Sequence, residues 1–337
     1  MGSNKHAVKY VVLLVASLLI ALMAGETIAN NKKANGVKRA AESSGVEASV
    51  AGVSREFAKD SFDGSVFYEG FRYEVNTHVD TILFLGIDSS KQERDGVGIT
   101  EGGRSDTIIL FLLDNDNNTV TPLEINRDTM VDVDIYDNDG KFLARGSEQL
   151  TMQYSYGDTP AKACNLTKEK VSDLLGRTRI DGVISLTMDG IEPIVDSIGG
   201  VTLQLQTDET DLDPSYTEGA VIHLDGVAAK AFVHNRDIEV RGSNISRMTR
   251  QTQFMLALFQ TIKGQGDSIV EIMENAAGDY LYEDVDADSV SRLTNYEYSG
   301  EVITLPGENV TDGIHDEFYV DDKKLTETVL KLFYLKE

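Results

Sequence analysis

Charged side chains stand at the ends of short apolar segments in this sequence. Asp88 ends the first such segment, Arg104 and Asp106 lead into the second, and Arg127 follows the third. Two carboxylates on adjacent strands suit a hard divalent cation such as Mg2+, and arginine forks grip phosphate oxygens bidentately. Because ligands of open α/β sheets bind at strand ends, these residues indicate a site for phosphate and a metal ion.

A second group of polar residues points to the same chemistry. His234 and Arg236 close one helical segment, and Arg247 and Gln251 lie four residues apart on one face of the next. Arginine near a helix N-terminus is electrostatically unfavourable unless an anion is bound there. The group indicates a phosphate ligand, but nearby carboxylates explain it too. For both groups, the alternative to a phosphate site is that arginine and aspartate form ion pairs that only join surface loops.

Other kinds of site lack the residues that they require. The five histidines show no metal-binding spacing, and the sequence has neither a Gly-x-Ser-x-Gly elbow nor a Walker-type phosphate loop. The single cysteine, Cys164, has no recognisable base beside it and excludes an intrachain disulfide. The net charge of −25 repels nucleic acid, so a DNA-binding role is disfavoured.

The candidate residues need a scaffold that brings strand ends together. Near-continuous apolar runs, typical of strands buried on both faces, alternate with runs of helical spacing. The predicted strands are residues 81–87, 108–113, 119–125, 131–135, 182–188, 201–205 and 302–305. The predicted helices are residues 147–156, 161–175, 191–198, 228–233, 248–262, 287–295 and 322–335. We expect one α/β domain, a mixed central sheet with helices on both faces (α/β/α).

The N-terminal residues predict the compartment in which the domain works. Residues 10–24 carry no charge, and the apolar character extends over residues 7–29. A membrane-spanning helix needs about 20 such residues, and Lys5 and Lys9 before them favour a cytoplasmic N-terminus. We expect a single-pass protein of the cell membrane with an extracytoplasmic domain. The alternative is a cleaved signal peptide, for which residues 27–29 are a poor cleavage site.

The predicted organisation therefore has four parts. They are a cytoplasmic N-terminus (residues 1–6), a transmembrane anchor (7–29), a polar tether (30–74) and the extracytoplasmic domain (75–337). No internal repeat or change of composition marks a second domain within the last part. A hydrophobic content of 41% is enough for a folded core of this size.

Six segments, taken in order, resemble the LytR-CpsA-Psr family. They are TILFLGIDS, GRSDTIILFLL, INRDTMVDV, ISLTMDGIEPIVDSIGGVTL, LDGVAAKAFVHNRD and SRMTRQTQFMLAL, which together span about residues 80–263. The resemblance implies an α/β/α fold with an apolar pocket for a polyprenyl chain. It also implies a Mg2+-dependent phosphotransferase of a Gram-positive-type envelope. Such an enzyme moves a glycopolymer, for example teichoic acid or capsule polysaccharide, from a polyprenyl-pyrophosphate carrier to peptidoglycan.

The resemblance also implies roles for individual residues. Asp88 and Asp106 are the implied ligands of Mg2+ (or Mn2+), and Arg127 and Asp106 are the implied catalytic residues. The residues implied to bind pyrophosphate are Arg104, Arg127, His234, Arg236, Arg247, Arg250 and Gln251. His234 is a departure, because the family usually has an Arg-x-Arg pair where this chain has His-Asn-Arg. The charge of an imidazole depends on pH, so this pyrophosphate clamp is expected to differ from the family pattern.

Two other functions remain open on the sequence. A hydrolase that cleaves lipid pyrophosphate uses the same residues, with water in place of the peptidoglycan acceptor. A polymer-binding or regulatory envelope protein without activity is the second, and the histidine at position 234 is the feature that favours it. No general base is evident; a metal-bound aspartate and Asp128 are the candidates.

Overall fold

The computed structural model describes most of the chain from residue 52 onward. The described residues are 52–53, 57–59, 63–89, 103–137, 139–235, 250, 253–254, 257–258, 261, 272, 275–285, 296–311 and 316–337. The predicted anchor (7–29) and the predicted helix 287–295 lie outside these residues. Within them, no helix is both long enough and apolar enough to cross a membrane.

Seventeen strands and five α-helices have both of their ends within the described residues. The strands are β1 (Ala58–Lys59), β2 (Val66–Tyr68), β3 (Phe71–Val75), β4 (Val79–Ile87), β5 (Ser105–Asp114), β6 (Thr119–Glu124), β7 (Met130–Tyr136), β8 (Phe142–Gln149), β9 (Gly182–Thr187), β10 (Val201–Gln204), β11 (Val221–Leu224), β12 (Leu281–Asp284), β13 (Glu297–Tyr298), β14 (Ile303–Thr304), β15 (Gly307–Thr311), β16 (Asp316–Val320) and β17 (Tyr334–Lys336). The helices are α1 (Met152–Ser155), α2 (Pro160–Leu174), α3 (Ile191–Ser197), α4 (Gly226–His234) and α5 (Asp322–Phe333).

The central sheet is mixed, as the sequence predicts. Its strand order is β12-β9-β4-β5-β6-β13, and β14 also pairs with β6. Strand β4 runs antiparallel to β5 and parallel to β9. The ends of β4 and β9 that follow Ile87 and Thr187 therefore meet at one edge of the sheet, together with the start of β5. We call this edge the site edge.

Helices cover both faces of this sheet, which confirms the layered fold. Alternate residues of a strand point to opposite faces, and Phe84 belongs to one core cluster while Leu85 belongs to the other. The Phe84 cluster includes buried residues of α3 and α4 together with Phe254 and Leu258. The Leu85 cluster includes buried residues of α2 and α5. Burial on both faces explains why the central strands read as continuous apolar runs.

The predicted helix over residues 147–156 is wrong in its first part. Residues 142–149 form β8, which pairs with β7 in a separate two-stranded sheet, and only α1 is helical. Strand β8 is mostly exposed, so it has no alternating pattern of burial that a sequence would reveal. Pairing with β7 decides its structure, and β7 does not extend the central sheet.

Part of the predicted tether belongs to the folded domain. Strands β2 and β3 lie within residues 30–74 or at their end, and they join β1 and β17 in a four-stranded sheet. Val66 and Tyr68 of β2 are buried. Strand β17 lies far from β3 in sequence, so this sheet depends on contacts between distant segments of the chain. A local sequence pattern contains no sign of such a pairing.

Candidate functional site

Asp88 and Asp106 lie side by side at the site edge. Their backbone N–H groups both donate to the carbonyl oxygen of Arg104, at 2.9 and 3.1 Å. Gly86 pairs with Thr107, but Ile87 pairs with Ser105, so Asp106 is an extra residue in β5. Such a β-bulge redirects a side chain and is frequent beside active sites. The bulge therefore presents Asp106 at the edge where β4 ends in Asp88.

Glycine is required at position 103, where the chain enters this edge. Gly103 has a φ of +73°, a conformation that L side chains rarely adopt. A Cβ built there would lie 2.6 Å from the Cβ of Ser89. The backbone before β5 thus passes close to the residue that follows Asp88, and a side chain would force the two segments apart.

Arg127 reaches the same edge from the loop after β6. Its Nη1 forms an ion pair with Oδ1 of Asp106. Its Nε is buried and forms no hydrogen bond within the described part of the chain, with Asp128 Oδ1 3.4 Å away. Asp128 is itself held by Gln149, whose Nε2 donates to Oδ1 at 3.0 Å. Arg127 is therefore held at the site edge between the carboxylates of Asp106 and Asp128, with part of its side chain exposed.

Two buried hydroxyl groups near Ile87 are also unsatisfied. Ser105 and Thr187 pair with Ile87 from the strands on either side of β4. The Oγ of Ser105 and the Oγ1 of Thr187 have no hydrogen-bond partner among the described residues. Buried polar groups usually have partners in native structures. The site edge therefore contains buried polar atoms that have no hydrogen-bond partner among the described residues.

Helix α4 brings His234 to this edge. Asp225 caps the helix by accepting a hydrogen bond from the Ala228 N–H at 2.8 Å. A Cβ on Gly226 would lie 2.3 Å from the Glu192 carbonyl oxygen, so glycine is what allows α4 to approach α3 so closely. At the other end of the helix, Nε2 of His234 lies 3.8 Å from Oδ1 of Asp88. The departure from the expected arginine thus faces a predicted metal ligand.

Lys230 is a residue of the edge that the sequence interpretation missed. It precedes His234 by four residues, so the two share one face of α4. Its Nζ pairs with Oδ1 of Asp189, two residues after the end of β9. Its four-residue spacing from His234 is the only sequence feature that could have identified Lys230 as a site residue. A single lysine in a helix is otherwise too common to indicate a site.

Arg250 has a different environment from Arg127. Its side chain is almost fully buried, and Nη1 pairs with Oε2 of Glu209 at 2.9 Å. Its Nε donates to the Phe232 carbonyl at 2.9 Å, and Nη2 donates to the Asn235 carbonyl. Each guanidinium nitrogen therefore has a protein partner at the end of α4. Pyrophosphate binding by Arg250 stays a prediction, and the contacts seen are those of a structural residue.

The other predicted phosphate ligands divide into two groups. Arg104 is exposed, and its backbone carbonyl joins Asp88 to Asp106. Arg236, Arg247 and Gln251 lie outside the described residues, so their roles stay predictions. The structure thus brings Asp88, Asp106, Arg127 and His234 together at the site edge.

The carboxylates of the edge fit part of a magnesium shell. No group of three or more His, Cys, Asp or Glu side chains in the described part of the chain is arranged to hold a metal ion. Mg2+, however, is often bound through one or two carboxylates, with water and substrate phosphate as its other ligands. Asp88 and Asp106 match that donor set, although Oδ1 of Asp106 is already paired with Arg127.

Glu124 is a further acidic residue that the sequence interpretation missed. It ends β6, three residues before Arg127, and pairs with Ile109 of β5. Burial raises the pKa of its carboxyl group above the usual value of 4.5. Within the described residues this carboxyl makes no hydrogen bond or ion pair, so nothing there offsets the cost of its charge. A glutamate at the end of an apolar strand is otherwise unremarkable in sequence.

The chain belongs to the LytR_cpsA_psr family, whose model matches residues 33–332. A relative from Bacillus mycoides (strain KBAB4) is named polyisoprenyl-teichoic acid–peptidoglycan teichoic acid transferase TagU. It is 28% identical over 261 residues, which cover 75% of this chain and 77% of the relative. The predicted family is therefore confirmed.

Solved structures share the fold. TagV of B. subtilis has a TM-score of 0.54 and 23% identity, covering 76% of this chain and 96% of its own. TagT bound to LI-WTA has a TM-score of 0.53 and 20% identity, covering 76% of this chain and 90% of its own. At this level of identity the likeness supports the mixed α/β fold described above.

Proposed function

We propose that this protein transfers a phosphate-linked glycopolymer from a polyprenyl-pyrophosphate carrier to peptidoglycan. The family membership supports this class of reaction, and the relative named as a teichoic acid transferase supports the donor and the acceptor. The best supported donor is therefore a lipid-linked teichoic acid or a related anionic polymer. The site edge supplies the groups that such a substrate needs.

The observation that carries the proposal is the partly exposed guanidinium of Arg127 at the site edge. Its Nη1 is fixed by Asp106 and its buried Nε lies 3.4 Å from Oδ1 of Asp128, while 21% of the side chain remains exposed. A phosphoryl oxygen is a suitable acceptor, because charge-assisted bonds from arginine to phosphate are strong and directional.

The reaction is a substitution at phosphorus. A peptidoglycan hydroxyl attacks the phosphorus that carries the glycan, the bond to the polyprenyl phosphate oxygen breaks, and the hydroxyl proton is released to water. Arg127 stabilises the negative charge that develops on the phosphoryl oxygens, which is the main catalytic contribution in phosphoryl transfer. Asp106 orients Arg127 through its ion pair.

Asp88 and Asp106 are the proposed ligands of Mg2+ or Mn2+, which when bound neutralises charge on the pyrophosphate. His234, whose Nε2 lies 3.8 Å from Oδ1 of Asp88, is proposed to contact the same phosphates. A histidine here donates a hydrogen bond without the permanent charge of arginine. Arg104, Arg236, Arg247 and Gln251 complete the proposed pyrophosphate clamp.

The proposed location is the outer face of the cell membrane. The apolar segment 7–29 is the proposed anchor, with the N-terminus in the cytoplasm. An anchored domain remains within reach of a donor whose polyprenyl chain is in the same bilayer. Peptidoglycan lies on that side of the membrane as well, so donor and acceptor meet there.

A coupling assay tests the proposal against hydrolysis. The full chain in detergent micelles is mixed with Mg2+, a short-chain lipid-pyrophosphate-linked saccharide and peptidoglycan fragments, and products are identified by mass spectrometry. A saccharide–phosphate–peptidoglycan product that requires the acceptor is the expected result. Release of saccharide phosphate at the same rate without peptidoglycan fragments contradicts transfer and identifies a hydrolase. Donor binding without any product identifies a binding protein.

A further inference from the structure

Helix α4 crosses the ends of two neighbouring strands at the site edge. Ile87 of β4 and Thr187 of β9 are paired in a parallel register, so the residues that follow them emerge side by side. On α4, His234 faces Asp88 and Lys230 faces Asp189. One helical face thus carries two nitrogen groups, each opposite an aspartate that follows a central strand.

The Lys230–Asp189 pair is not explained by stability. Both side chains are about one-third exposed, at 32% and 33%. Ion pairs with this exposure contribute little to folding because water screens them and ordering long side chains costs entropy. Residues four apart on a helix have Cβ atoms roughly 5–6 Å from each other. The Lys230 ammonium is therefore within reach of a substrate group that also contacts His234.

The charged groups at the site edge indicate a role for Lys230 in phosphate binding. Where the family pattern has an arginine, this chain has His234, whose side chain offers fewer hydrogen-bond donors than a guanidinium. Lysine is a compact, permanently charged group near neutral pH and is a regular binder of phosphate. Asp189 supplies the countercharge that Lys230 needs while no substrate anion is bound.

We propose that Lys230 binds a phosphoryl oxygen of the lipid-pyrophosphate donor and exchanges Asp189 for that oxygen when the donor arrives. The inference rests on the proposed function, because it names a further donor-binding residue of the same site. Asp189 competes with the donor for the ammonium group. Removing Lys230 and removing the charge of Asp189 must therefore change donor affinity in opposite directions.

The test measures equilibrium binding of a short-chain lipid-pyrophosphate-linked saccharide to the full chain in detergent micelles with Mg2+. Lys230→Met is expected to raise Kd about tenfold, the loss of one charge-assisted contact. Asp189→Asn is expected to lower Kd by about threefold, because the competing carboxylate charge is gone. Thermal unfolding of each variant controls for loss of the fold.

Lys168 and Asp284 provide a matched control. They form a pair at 3.8 Å, and Asp284 pairs with Val183 near the start of β9, away from the site edge. Lys168→Met and Asp284→Asn are expected to leave donor binding unchanged. The proposed role of Lys230 is wrong if Lys230→Met and Asp189→Asn weaken donor binding equally. It is also wrong if neither variant changes donor binding while the wild type binds donor. Neither result affects the proposed function. Absence of donor binding by folded wild type overturns the proposed function instead.

Discussion

Two arginine–carboxylate pairs of this protein differ in how much of the guanidinium is used. In the Arg250–Glu209 pair both side chains are nearly inaccessible, at 2% and 3% exposure, and each arginine nitrogen has a protein acceptor. In the Arg127–Asp106 pair the exposures are 21% and 12%, and the buried Nε of the arginine has no hydrogen bond among the described residues. The first arginine has a hydrogen bond from each nitrogen, whereas the second is partly exposed and its Nε has only an ion pair with Asp128 at 3.4 Å.

The difference separates a structural role from a binding role. Arg250 satisfies carbonyl groups at the C-terminal end of α4, where backbone acceptors lack helical partners. Glu209 is held in turn by Thr207, whose hydroxyl donates to Oε1 at 2.8 Å. This network fixes the end of the helix that presents His234. Arg127 is instead partly exposed at the edge where Asp88 and Asp106 meet.

The largest expected effect comes from breaking the Arg250–Glu209 pair. Arg250→Met leaves the Glu209 carboxylate buried without its cation, and loss of one partner of a buried pair costs roughly 3–5 kcal/mol. We expect a large fall in the unfolding midpoint, measured by thermal denaturation of the full chain. Replacing both residues, Arg250→Met with Glu209→Leu, is expected to recover part of the loss. Equal stability of wild type and Arg250→Met contradicts the structural role.

Removing the Arg127–Asp106 pair should affect catalysis instead of folding. Arg127→Ala is expected to lower the transfer rate about 100- to 1,000-fold, as loss of a preorganised charge-stabilising donor does. Its unfolding midpoint should fall much less than that of Arg250→Met. Arg179→Ala is the control, because Arg179 is a largely exposed arginine that also pairs with aspartates. Near-normal coupling by Arg127→Ala eliminates the proposed catalytic role.

The metal proposal predicts a change in the requirement for Mg2+. Asp88→Asn keeps the size of the side chain but removes a charged oxygen ligand. We expect the Mg2+ concentration for half-maximal transfer to rise about tenfold. The exposed Asp116→Asn variant serves as the control. An unaltered Mg2+ titration for Asp88→Asn excludes this residue as a ligand.

The smallest effect concerns Glu124, whose pKa is raised by burial. A carboxyl group with a raised folded-state pKa contributes most to stability below its unfolded value. That contribution is lost as the pH rises through the folded value. Glu124→Gln should therefore raise the unfolding midpoint near neutral pH and have little effect below the usual pKa of 4.5. The exposed Glu297→Gln variant should show no such pH-dependent gain.

The central sheet was predictable because its strands are buried on both faces. Continuous apolar residues in β4 and β5 reveal that burial directly. The edge strands were not predictable in the same way. Strand β8 is largely exposed, and β3 pairs with β17 at the far end of the chain, so neither carries a local signal.

The candidate site shows the same division. That Asp88 and Asp106 lie near each other follows from their positions at strand ends, and their N–H groups share the Arg104 carbonyl. The β-bulge that presents Asp106 is a detail of pairing that the sequence does not contain. Glu209 lies in a loop far from Arg250 in sequence, so their buried pair is visible only in the folded chain.

The most direct test of the account is a crystal structure of the full chain with a short-chain lipid-pyrophosphate-linked saccharide and Mg2+. A phosphoryl oxygen is expected about 3 Å from a guanidinium nitrogen of Arg127, with Asp88 and Asp106 on the metal ion. Arg250 should keep its bonds to Glu209 and the end of α4. Donor phosphates bound elsewhere, for example beside Lys168, Arg177 and Arg179 in the cleft near the start of β4, would contradict it.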